Sequence, residues 1–410
     1  MPRGKGSRFV LVMVLASSLL LLLSAFGVLP KPIRGAKRFQ VDSTATAQPS
    51  GTSELTGDTD PGEDPGPPLE TDPLPVELKE LPVSGNDPDT LAAGGTSLRL
   101  WPESLALPVL HAPDLDAYLG QEAAPQPLKG ITVILDAPHG GADTGSVWET
   151  GREVVMEKTL VLDIAMEAEK ALASLGATVI MTRTTDEEFS LFRTVAKAAD
   201  IALIRYGDAA VANGYSRDLP DNLRLLMGDI IRINQNSPSS GGRGLFGSIG
   251  TPPQLRLLYD IESQFTDILF INISLAFDVN DPGKHGSQAY YMSAAFVENV
   301  NNGYADGQDA QALAPNYTLI DSQGRARLAS LLKTSLAAAE PRLLPEDGSE
   351  AGAQKDMAVL RLTNFVSASL VAGYLSNEGD RQVLNSAQGR QAIGQALARA
   401  VLQYYVTASP

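Results

Sequence analysis

The stretch that most constrains this chain is Ile131–Thr182, because its hydrophobic period changes twice within it. Ile131–Leu135 reads ITVIL, a short β-branched run with the character of a buried strand. Glu157–Ser174 then carries Leu160, Ile164, Ala168 and Leu172 at every fourth position, one apolar face of a helix. Gly176 suits the helix stop, and Ala177–Thr182 (ATVIMT) supplies a second strand. Strand, helix and strand at this spacing predict a parallel pair joined by a right-handed crossover. Further strands are expected at Ile268–Ala276, Ser287–Met292, Met357–Leu362 and Ser369–Leu375, with a closing helix over Ser386–Tyr405. The expected fold class is α/β: a single domain over 130–410 with a central, mostly parallel or mixed sheet flanked by helices.

What precedes that domain is different material. Arg3, Lys5 and Arg8 lead into an unbroken apolar run from Phe9 to Val28. A helix of about 20 such residues crosses the hydrocarbon core of a membrane. Residues 1–39 are therefore read as a transmembrane anchor with basic flanks, the alternative being a cleaved signal peptide. Basic residues lie on both sides of the run, so charge alone does not orient it. Residues 40–95 hold 12 acids against Lys79 and are rich in Pro, Gly, Ser and Thr. Such a segment buries too little to offset its ordering entropy and is expected to be a disordered linker. Residues 96–129 are more apolar and read either as an arm that docks on the domain or as partly ordered linker. An insertion is expected at about 205–262, with Asp221–Asn234 helical.

Composition excludes several chemistries. The chain has no cysteine, so disulfides, thiolate nucleophiles and cysteine metal sites are ruled out. A net charge of -16 argues against a nucleic-acid partner. Only three histidines are present. His139 follows the first strand in a loop with two glycines, and Glu157 opens the next helix. An imidazole and a carboxylate so placed could share a zinc ion, with Asp136 orienting the other ring nitrogen. Taken alone, a histidine in a glycine-rich loop is more often structural.

The wider pattern is more specific. LDAPHGGADTGS, MEKTLVLDIA, LGATVIMTRTTDEEFSL and AGYLSNEGD occur in that order. Together they resemble the zinc-dependent N-acetylmuramoyl-L-alanine amidases of the amidase-3 type, over about residues 129–406. The resemblance implies a zinc held by two histidines and a glutamate, a metal-bound water, and a second glutamate as general base. The bond cut joins N-acetylmuramic acid to L-alanine of the stem peptide.

Carried onto this chain, His139 takes the first ligand position and Glu157 the carboxylate position. The histidine of the family's Ser-x-His-x-Asn strand falls on Ala276, read from Ser274–Asp278. The catalytic glutamate falls on Val371, two residues before Gly373. An alanine and a valine neither bind zinc nor move protons. His285 is the candidate substitute ligand and Glu378 a substitute base. The expectation is a degenerate, membrane-tethered pseudoenzyme of the cell wall with impaired or absent hydrolysis. It would bind or regulate peptidoglycan or wall proteins, and zinc binding is in doubt. The alternative is an active zinc amidase using a rearranged site. Because the wall lies outside the cytoplasmic membrane, the domain is expected on the outer or periplasmic side, or secreted if the leader is cleaved.

Overall fold

A computed structural model describes residues 78–83, 104–236, 245–246, 253–305, 319–344, 348 and 351–408. The apolar run Phe9–Val28, most of the 40–95 linker and the start of the 96–129 segment lie outside these residues. No helix among the described residues is long and apolar enough to cross a membrane.

The elements run β1 (Thr132–Asp136), β2 (Val147–Thr150), β3 (Glu153–Met156), α1 (Glu157–Ser174), β4 (Thr178–Met181), α2 (Leu191–Ala212), α3 (Asp218–Ile233), α4 (Pro253–Ser263) and β5 (Ile268–Ala276). They continue with β6 (Gln288–Tyr291), α5 (Ala294–Ala305), α6 (Ser322–Ala339), β7 (Ala353–Gln354), α7 (Ala358–Arg361), β8 (Val366–Tyr374), α8 (Glu378–Asn385) and α9 (Ala387–Val406). The main sheet has the order β4-β1-β5-β8-β6-β7. Neighbours from β4 to β8 pair in parallel, and β6 runs antiparallel to β8. The class is therefore α/β with a mixed central sheet flanked by helices.

Alternation along the strands sorts side chains into two cores. Leu269, Ile271, Ile273 and Leu275 of β5 face the layer of α1, α6 and α9. Ile268 and Phe270 face α2, α3 and α4. At the C-terminal ends of the strands the second face turns polar. Asp136, Asn272 and Ser369 are register partners across β1, β5 and β8. Asn272 Nδ2 donates to Asp136 Oδ2 (2.7 Å), Ser369 Oγ to Asn272 Oδ1 (2.7 Å) and Thr182 Oγ1 to Asp136 Oδ1 (2.9 Å).

Two expectations are corrected. Met357–Leu362 is not a strand but holds the one-turn helix α7, and β8 begins at Val366. The backbone there serves Arg325, a fully buried guanidinium that donates to the carbonyls of Thr363 (2.7 Å), Phe365 (3.1 Å), Met292 (3.2 Å) and Leu360 (3.4 Å). A strand could not converge its carbonyls on one side in this way. Second, residues 78–83 of the linker are docked. Lys79 bridges Tyr215 in parallel, accepting from Ser216 N (2.7 Å) and donating to Gly214 O (3.0 Å). Leu81, an apolar residue in acidic surroundings, is buried in the second core.

The following segment also lies on the domain. Ala106 and Leu107 are buried. The Ala106 amide donates to Asp260, and the Leu110 amide donates to Gln264 Oε1 at 2.9 Å. His111 stacks on Phe265 with ring centroids 4.4 Å apart and meets Asp267 at 2.9 Å. Asp267 also pairs with Arg205. Asp260, Gln264, Phe265 and Asp267 all belong to α4 or the turn after it, the end of the expected insertion.

Candidate functional site

His139 leaves β1 in the left-handed region, with φ +67°. That conformation is uncommon for a residue with a side chain and is held only where its surroundings determine it. Arg183, 1% exposed, does much of the holding. Its guanidinium donates to the carbonyls of Lys158 (2.6 Å), Ala137 (2.7 Å), Thr185 (3.0 Å) and Pro138 (3.2 Å). One side chain thus ties the His139 loop, the first turn of α1 and the end of β4. Lys158 Nζ adds a bond to Gly141 O and another to Asp186 Oδ2, both 2.7 Å.

Glu157 enters the same space from the N-terminus of α1, where helical amides favour negative charge. It is 3% exposed. Its Oε1 accepts from the Leu275 amide of β5 (2.7 Å), and its Oε2 accepts from the Ser146 amide (2.9 Å). His139 Nε2 lies 3.6 Å from Glu157 Oε2. Gly145 makes this closeness possible. A Cβ there would fall 2.6 Å from His139 Cδ2 and 2.9 Å from Glu157 Oε2.

The orienting partner of His139 differs from the one expected. Its Nδ1 meets Asp143 Oδ2 at 2.8 Å. Burial pushes the Asp143 carboxyl up, but the His139 hydrogen bond and the Gly145 amide outweigh this and hold it below its ordinary value. Asp136 is instead occupied within the sheet by Asn272 and Thr182, and burial raises its pKa despite those bonds. Asp143 lies four residues after His139 in the same loop, a spacing that offered a sequence signal for the pair.

The remaining positions lie where β5 meets β8. Val371 is buried, and its register partners are Ser274 on β5 and Gln288 on β6. Ala276 lies beyond a register shift and pairs with Tyr374. The β5 residue beside Val371, adjacent to the amide that Glu157 receives, is therefore Ser274 rather than Ala276. Gln288 Nε2 donates to the Tyr374 hydroxyl at 2.9 Å, and Tyr290 donates to Gln288 Oε1. His285 is exposed in the loop before β6. Nearby, Asp380 receives the amides of Gly286 (2.7 Å) and Tyr374 (2.8 Å), and burial raises its pKa despite those bonds. Among the described residues His285 does not form with His139 and Glu157 a group that could hold a metal ion.

The fit to zinc is half complete. Two ligands about 2.0–2.1 Å from a tetrahedral ion lie roughly 3.3 Å apart, close to the 3.6 Å between His139 Nε2 and Glu157 Oε2. Among the described residues, however, no group of three His, Asp or Glu could hold a metal ion. A catalytic zinc site needs three protein ligands, and these residues do not supply them. What remains is a half-site of one imidazole and one carboxylate, His139 and Glu157.

Comparison with known proteins places these residues in context. Residues 133–205 match the family model of N-acetylmuramoyl-L-alanine amidase. The "Probable cell wall amidase LytH" of Staphylococcus aureus is 40% identical over 78 residues, 19% of this chain and 26% of that protein. The chain thus spans about a quarter of the length of that relative. Among solved structures, the amidase AmiC2 of Nostoc punctiforme aligns with a TM-score of 0.39 and 18% identity, covering 67% of this chain and 98% of that one. Ami1 of Mycobacterium smegmatis aligns with a TM-score of 0.40 and 16% identity over 68% of this chain and 98% of that one. By sequence, the likeness to the N-acetylmuramoyl-L-alanine amidase family is carried by residues 133–205.

Proposed function

We propose, from that likeness, that this chain is a cell-wall protein that engages peptidoglycan without hydrolysing it. The observation that carries the reading is what stands where β5 meets β8. The resemblance puts the general base at Val371 and the third zinc ligand at Ala276, and Ser274 is the β5 residue that pairs with Val371; none of the three is a histidine or a carboxylate. A missing general base alone lowers an amide hydrolase by roughly 10²–10⁴-fold. With only His139 and Glu157 facing a metal, zinc would be held weakly and poorly positioned. The apolar run at 9–28 supports tethering to the cytoplasmic membrane, and the place of peptidoglycan outside that membrane, not the flanking charge, puts the domain on the wall side.

A second reading, an active amidase with a rearranged site, draws on one observation: His139, its Asp143 partner and Glu157 retain a half-site. One experiment separates the two. The full-length chain is incubated with purified peptidoglycan, with zinc or with chelator, then sedimented and assayed for released stem peptide. The protein is expected in the pellet with no release above a buffer control. Zinc-dependent, chelator-sensitive release would establish the active enzyme instead.

A further inference from the structure

The hairpin β2–β3 runs directly into Glu157, and α8 follows the turn after Tyr374. Between them is a groove of about 420 Å³ lined by Trp148, Glu153, Glu378, Arg381, Gln382 and Asn385. Its charges do not neutralise one another. The Arg381 guanidinium lies over the Trp148 ring, its Cζ 3.8 Å from the centroid, and one nitrogen donates to Leu375 O at 2.7 Å. Among the described residues no carboxylate comes within ion-pair range of it, so Nε and Nη2 keep free donors. Glu153 and Glu378 meet only neutral side-chain amides, Asn385 Nδ2 at 2.8 Å and Gln382 Nε2 at 3.4 Å. Opposite charges that share a groove without pairing are complementary to a ligand bearing both.

We infer that this groove is a subsite for an amino-acid zwitterion, an ammonium and a carboxylate on one carbon, as a diamino-acid residue of a wall stem peptide presents. The inference rests on the wall-binding reading above. Arg381 receives the carboxylate through its free N–H groups, a planar match that a lysine would not reproduce. Glu153 and Glu378 receive the ammonium. Trp148 holds the guanidinium over its ring. The β2–β3 wall of the groove runs on in sequence into Glu157.

The test uses the full-length chain carrying Trp101→Phe. The protein has two tryptophans, so the remaining fluorescence comes from Trp148. It is titrated with two synthetic tripeptides, L-Ala-γ-D-Glu-diaminopimelate and the same peptide ending in lysine, which lacks the distal carboxylate. The diaminopimelate peptide is expected to bind roughly tenfold or more tightly, the scale of one charge-assisted contact. Arg381→Gln should erase that difference, and the isosteric pair Glu153→Gln with Glu378→Gln should weaken both peptides. Equal affinity in the parent chain, or discrimination that survives Arg381→Gln, overturns the subsite. If Arg381→Gln unfolds the protein, unchanged binding by the Glu-to-Gln pair overturns it instead. Pelleting with intact peptidoglycan but no discrimination refutes the subsite alone, whereas failure to pellet refutes the wall-binding reading and the subsite together.

Discussion

Replacing Arg183 with methionine should loosen the site by releasing its backbone while leaving the functional side chains in place. The guanidinium serves four carbonyls, of Ala137, Pro138, Lys158 and Thr185. Thr185 is exposed, and its carbonyl can recover water. The bond to Ala137 is buried and those to Lys158 and Pro138 are part-buried; a buried acceptor left unpaired costs about 1–3 kcal/mol, and a part-buried one about half that. The midpoint is a loss of about 4 kcal/mol. For some 300 ordered residues the unfolding entropy is about 0.6 kcal/mol/K, so the melting temperature should fall by about 6 °C. Arg183→Lys keeps the charge but not the fork, and should recover less than half of that loss. Calorimetry supplies the shift. Amide exchange should show faster opening of residues 137–145 than of α9. A shift below about 2 °C in both variants, or exchange raised evenly over the whole domain, would refute the assignment of Arg183 as the clasp of the His139 loop.

Two further expectations concern other parts of the molecule. Burial pushes Glu262 up to about 8, against the lowering influence of the Asn364 amide and the Arg325 charge. Its folded pKa therefore exceeds its unfolded one, and the stability it contributes is fully present below about 4.5 and lost as pH rises toward 8. Asp260, raised to about 6 chiefly by burial, acts with the same sign at lower pH. The urea midpoint should fall between pH 5 and pH 8, and Glu262→Gln should flatten that fall; an unchanged slope in the variant would exclude Glu262 as its source. The strand register makes a separate prediction about zinc. Ser274→His with Val371→Glu should gain measurable zinc affinity by competition with a chromogenic chelator, and Ala276→His with Val371→Glu should gain less. The reverse order would mean that β5 and β8 are paired differently in solution.

The sequence made the first half of the site legible because its signals are local. A β-branched run, a glycine-rich loop and a helix start at Glu157 predict neighbours within one β–α unit, and α1 runs over the residues expected. The third position was not legible to the same degree. Ser274 and Val371 lie 97 residues apart in sequence and meet only through the β5–β8 register, which shifts between Ser274 and Ala276. A motif aligned on the serine cannot sense that shift. Met357–Leu362 was read as a strand for a related reason: a short apolar run lacks a period of its own. The demand that decided its shape comes from Arg325, more than thirty residues earlier. Asp136 alone was expected as the partner of His139, although Asp143 lies about as near in sequence. Only the sheet network that occupies Asp136 separates them.

The docked N-terminal segments bear on how force would travel through the protein. Tension applied from the N-terminal side of Leu78 meets the fold first at the two hydrogen bonds between Lys79 and the Gly214–Ser216 turn, with Leu81 seated behind them. It next meets the attachment of Ala106 and Leu110 to Asp260 and Gln264. Only after both have given way does the pull reach β1, the strand that ends at the His139 loop. A load would therefore peel these segments off the outer helical layer before it disturbed the central sheet, and their attachments would act as sacrificial links in series ahead of the site.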